Sequence, residues 1–103
     1  MSKIRTNSIN IVNQIDFAGW FAIRGETPTP EAIQAVAVPL IAHFEVELQN
    51  HKIDYAESQL QSVNAYVESV KTTLDVEEMK KVYLLQWFAQ QSVRLHKARL
   101  GLI

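Results

Sequence analysis

Cysteine is absent from the 103-residue chain, which excludes disulfide scaffolds, thiolate metal sites and cysteine nucleophiles. Glycine and proline are scarce, at three each, so collagen-like and low-complexity readings are excluded as well. Gly19 and Gly25 stand apart with no Gly-Lys-Ser/Thr nearby, so no phosphate-cradling loop can be assembled. No apolar run approaches the ~18 residues of a membrane span. The longest stretches, Phe17 to Ile23 and Val82 to Ala89, are short and bounded by charge or amide. Lys3 and Arg5 are not followed by an apolar segment, so a signal peptide is not expected. No Asn-x-Ser/Thr acceptor occurs. Neither sign of charge dominates: ten Lys/Arg against eleven Asp/Glu leave a net charge of −1. That balance is not the footprint of a chain that holds nucleic acid by charge alone. The expectation is a soluble, cytoplasmic protein without a membrane partner.

What the chain does have is apolar substance. At 11.7 kDa, 48% hydrophobic and 20% charged, it suits one domain spanning residues 1–103. Its punctuation is concentrated in Gly25-Glu26-Thr27-Pro28-Thr29-Pro30, and the next glycine is Gly101. The long stretch between, rich in Ala, Gln, Glu, Leu and Val, reads as helical. The expected fold is all-α: an N-terminal segment (1–25), a kinked or broken long helix (26–74) and a C-terminal helix (75–103), the last two forming an antiparallel hairpin.

The N-terminal segment admits two readings. Ile9, Ile11, Ile15, Phe17, Phe21 and Ile23 fall on odd positions, as in a half-buried strand. At about 100° per residue, Ile11, Val12, Ile15, Ala18 and Ala22 instead share one face, with Asn10, Asn13, Gln14, Asp16 and Arg24 opposite. The helix, from about Ser8 to Arg24, is preferred because Gly25 sits where a helix takes its left-handed closing residue. Phe17, Trp20 and Phe21 then project from the polar side. They either cover another part of the chain or form a contact surface for a partner.

Thr29-Pro30-Glu31 is a helix start, with Thr as cap, Pro in the first turn and Glu at the positive end. Ile33, Ala37, Leu40 and Phe44 form its apolar stripe, and a kink is expected at Pro39. Ile53, Ala56, Leu60, Val63, Val67, Val70 and Leu74 step alternately by three and four, a coiled-coil-like seam. Its phase differs from the preceding stripe, so within Gln49–Lys52 the chain turns or the buried face rotates. Asp75 and Glu78 have capping-box spacing and open the last helix. That helix contains Val82–Ala89, apolar almost all round, more than so small a chain is expected to enclose completely, and self-association through this tract and the seam would complete the burial. Charge is segregated: three cations and one anion in residues 1–25, two and eight in 26–75, five and two in 76–103. The acidic middle and the basic end should attract each other, within a protomer or between protomers.

Catalytic constellations are missing. Ser58, Ser62, Ser69 and Ser92 lie within predicted helices without a nucleophile elbow or a paired His, and pairs such as Asp54/Glu57 belong to an exposed face. His43, Glu47 and His51 have spacing that can hold a divalent ion, with Asp54 beyond. A solvated polar stripe explains the same pattern, so no metal ligand, cofactor or small-molecule substrate is assigned. A helix-turn-helix opening at Pro39 would present His43, Glu45 and Glu47 to phosphates and fails on charge. Tyr55, Tyr66, Tyr83 and Trp87 are expected chiefly to pack in the core, with Trp87 also a candidate interface anchor. Arg94, His96, Lys97 and Arg99 crowd the last turns, where cations suit the helix dipole and could also meet an acidic partner.

The expected function is therefore non-catalytic: a homo-oligomeric interaction module that acts as adaptor, assembly factor or inhibitor of a larger complex. Its candidate contact residues are Phe17, Trp20, Phe21, Trp87, Arg94, Lys97 and Arg99. By association only, such compositions also suit phage or mobile-element accessory proteins. The competing reading is a nucleic-acid-associated oligomer that uses the basic C-terminal helix.

Overall fold

The computed structural model describes residues 11–103 and is all-α. Five helices follow one another: α1 (Ile11–Gln14), α2 (Phe17–Arg24), α3 (Pro30–Asn50), α4 (Ile53–Val70) and α5 (Val76–Arg99). The expected first turn at Ser8–Asn10 lies outside the described residues.

The N-terminal segment is helical, as preferred, but divided. Asp16 interrupts it and caps α2, its Oδ1 accepting from the Gly19 N–H at 2.9 Å. The break is held by α5: the Asp16 N–H donates to Gln91 Oε1 and the Trp87 indole N–H donates to the Asp16 carbonyl, both at 2.9 Å. A Cβ at position 19 would collide with Asp16 Oδ2, so glycine leaves room for the cap. At the other end Gly25 adopts φ 71°, with its N–H on the Ala22 carbonyl and the Glu26 N–H on Phe21. This is a Schellman closure. A Cβ added at Gly25 would meet nothing within 4 Å, so Gly25→Ala tests backbone strain alone. It is expected to cost about 1–2 kcal/mol in a urea melt, and an unchanged midpoint would show that the left-handed turn is not needed.

Thr29 caps α3 through the Ala32 N–H at 3.1 Å. α3 then runs unbroken through Pro39. Pro39 and Ala35 are both exposed, so water can satisfy the Ala35 carbonyl left without its helical donor. The chain turns at His51–Lys52, both extended, which separates α3 from α4. Of the two readings of 26–74, kinked or broken, the chain takes the second: it forms two helices, and only the latter forms the hairpin with α5.

α5 is the central element. Met79 and Val82 pack with Val67 of α4, flanked by Val63, Val70 and Leu74, while Gln86 Nε2 donates to Asn64 Oδ1 at 2.9 Å. These pairings run antiparallel. The opposite side of α5 presents Trp87 and Leu95 to a second cluster containing Ile15, Leu40, Phe44 and Leu48. The Asp75–Glu78 capping box forms as expected, with Glu78 N to Asp75 Oδ1 at 2.8 Å. With α4 on one flank of α5 and α1–α3 on the other, the molecule is a slab of 52 × 34 × 20 Å. Its thin dimension is about two helix diameters.

Two expectations are corrected here. The seam along α4 is used within the chain, against α5, rather than left for a dimer: Ala56 and Val67 are buried and its remaining positions half-buried. Within one chain the segregated charges form no ion pair across helices either, among the described residues: the Lys and Arg ion pairs are local, Arg24–Glu26, Lys71–Glu68 and Lys80–Glu77. The α4–α5 contact instead consists of apolar packing and one amide pair.

Candidate protein-binding groove

Most of the aromatic contact residues expected from the sequence turn inward. Phe21 and Trp87 are each only 2% exposed and belong to the core, so neither forms a contact face. Their ring area is used by neighbours in the same chain. Trp87 meets Trp20 at 5.3 Å, Phe88 at 5.2 Å and Phe44 at 5.9 Å between ring centroids. Phe17 and Trp20 are half-buried against the same cluster. The Trp20 face carries the Arg24 guanidinium at 5.4 Å, and its indole nitrogen is shielded without a hydrogen-bond partner. Arg24 is itself paired with Glu26, whose hydrogen bonds raise its pKa. Lys71 is raised likewise by its bond to Glu68.

The basic C-terminal turns do not form one patch. The Arg99 guanidinium donates to the Leu48 carbonyl at 2.9 Å, closing the C-terminus of α3. Buried His96 has Nδ1 2.8 Å from the Ser92 carbonyl and Nε2 3.1 Å from the His51 carbonyl. A neutral ring donates to one of these and an imidazolium to both. Arg94 is exposed and Lys97 half-buried, away from the Arg99 side of the helix.

His43, Glu47 and His51 also take separate roles. His43 lies 4.9 Å from the Phe88 ring, His51 stacks on Tyr55 at 3.9 Å, and Glu47 is 4.0 Å from His51 Nε2. Among the described residues no cluster of three His, Asp or Glu is disposed to hold a metal ion.

Surface that the chain leaves open lies elsewhere. Because α3 and α4 sit on opposite flanks of α5, a groove of about 300 Å³ runs between them with α5 as its floor. His43 and Glu47 of α3 form one wall and Tyr55, Gln59 and Val63 of α4 the other, over Leu85, Phe88, Ala89 and Ser92. Leu85 is 52% exposed and, with Tyr83, is left uncovered in the Val82–Ala89 tract. Only Val82 and Trp87 of that tract are buried and its remaining positions are half-buried, so one chain encloses it in part, as expected. Tyr55 and Tyr66, expected in the core, are 44% and 47% exposed along the groove side of α4, and Tyr83 is exposed as well. A second depression near the α4–α5 turn is lined by Ala22, Ile23, Leu74, Met79 and exposed Val76, beside Lys71 and Lys80.

Sequence reasoning missed Leu85, Phe88, Gln59, His43 and Glu47 as one surface. A signal was present: Tyr55, Gln59, Ser62 and Tyr66 form an uncharged row beside the α4 seam. Its meaning required knowing that α3 stands across from it.

Comparison with protein-family models, with curated proteins and with solved structures finds no match. No described helix is long and apolar enough to cross a membrane.

Proposed function

We propose that this protein is a non-catalytic, oligomeric interaction module that binds other macromolecules through apolar helix faces, as an adaptor, assembly factor or inhibitor. The observation that carries the reading is the groove over α5, whose apolar floor holds Leu85 half in solvent. Burying such a side chain at an interface removes apolar area from water, and a lining that is mostly uncharged and includes Tyr55 and Phe88 matches the composition of interface cores. The depression around Val76 supplies a second apolar surface, so one molecule offers two places for contact. The partner is a protein rather than a small substrate, since both depressions are open surfaces without a convergent set of polar groups.

The test is affinity capture from the native host with the parent chain, Leu85→Asp and Val76→Asp, washed at low and at high salt. A discrete protein that stays on the parent at both salt concentrations and leaves one of the variants is the expected result. Identical retention on all three chains would remove these surfaces from the function. A ligand released steeply by salt would point to nucleic acid instead.

A further inference from the structure

We infer that the groove face is the self-association surface of this protein, pairing with a second copy about a two-fold axis that crosses α5 between Leu85 and Phe88. This rests on the interaction-module reading and names the occupant of its principal surface. A two-fold interface must be complementary to itself, and three features meet that requirement.

The first is area. The broad face of the slab measures 52 × 34 Å, ample for the roughly 800 Å² per partner that a stable dimer buries. The second is composition. Glu47 and His43 are the only groove-lining residues that can carry charge, in a chain that is 20% charged. Its centre is Leu85, Phe88 and Ala89, so a dyad there places apolar floor on apolar floor.

The third is the placement of two charges. Lys81 lies one turn before Leu85 on the same row of α5 and makes no ion pair among the described residues, whereas Lys71 and Lys80 do. Glu47 stands toward the other end of α5, beside the level where Leu48 and His51 receive Arg99 and His96. Its nearest cation is the His51 ring, 4.0 Å away and charged only when protonated. A two-fold axis midway between them runs the two α5 helices antiparallel. It sets Lys81 against Glu47 of the partner subunit, and the same pair recurs on the other side of the axis. A lysine without an ion pair among the described residues and a glutamate beside only a histidine ring thereby form two ion pairs between chains.

The experiment is sedimentation equilibrium on the full chain, with far-UV circular dichroism as the check on folding. The parent is expected to be a dimer. Leu85→Asp, at a side chain already half in solvent, should keep its helicity and sediment as a monomer. Glu47→Lys and Lys81→Glu should each weaken the dimer by about tenfold, and the double reversal should bring it back to within about threefold of the parent. A parent that is monomeric at about 1 mM, or an assembly that Leu85→Asp leaves intact, overturns the inference. Charge reversals that add rather than compensate overturn the antiparallel register. A monomeric parent that still captures a host protein refutes self-pairing and leaves the interaction-module reading standing. A monomer that captures nothing removes both.

Discussion

Trp87→Ala is expected to destabilise the chain by about 3–5 kcal/mol, the usual cost of emptying an aromatic site in a core. A domain of this size has only about 5–15 kcal/mol in total, so the melting temperature should fall on the order of 20 °C. Three effects coincide at this position. The indole is 2% exposed. Its ring is shared by Trp20, Phe44 and Phe88 from two other helices and its own. Its N–H satisfies the Asp16 carbonyl in the break between α1 and α2. Trp87→Phe separates the contributions: it keeps much of the packing and removes the donor, and about 1–2 kcal/mol should be lost. Chemical denaturation followed by circular dichroism reads both. A Trp87→Ala chain within about 0.5 kcal/mol of the parent would place the ring at the surface and restore it as a candidate interface anchor.

The second large effect is expected at His96. Its ring is buried and lies between the Ser92 carbonyl and the His51 carbonyl. His96→Ala both opens a cavity and removes the ring that bridges the Ser92 and His51 carbonyls at the link between α3 and α4, for a cost of about 2–4 kcal/mol. The loss should be uneven. α4 begins at Ile53 without a side-chain cap, so its first turn depends on the geometry of His51–Lys52. Amide exchange should therefore accelerate at Ala56 and its neighbours more than along Val67–Val70. Arg99→Ala removes the neighbouring bond to the Leu48 carbonyl and should cost less, about 1 kcal/mol. Protection lost evenly over all helices would mean that His96 acts only as core filler.

These two residues mark the limit of what the sequence discloses. The helix starts at Thr29 and Asp75 and the closure at Gly25 were legible because each depends on a few adjacent residues. The seam from Ile53 to Leu74 was legible for a similar reason, since periodicity states which side of a helix is buried. It does not state against what. The same apolar spacing serves a dimer or a neighbouring helix, and here α5 took the position. Trp87 and Phe21 were misread as contact residues on that account: an aromatic on an apolar helix carries no mark of whether its cover comes from within the chain. The groove was less legible still, because its walls come from residues 43–47 and 55–63 and its floor from 85–92.

Local sequence determined that this protein is helical, where α3 and α5 begin, and which side of α4 is apolar, because those properties arise from interactions within a turn or two of the chain. Only the tertiary structure decided that the N-terminal helix breaks at Asp16, that the chain turns at His51–Lys52, and that Leu85 rather than Trp87 faces outward. Each of these depends on groups far apart in sequence: Gln91 and Trp87 on Asp16, His96 on His51, and α3 and α4 on the two flanks of α5. Contacts over such separations leave no periodic trace, and they exist only once the chain has folded.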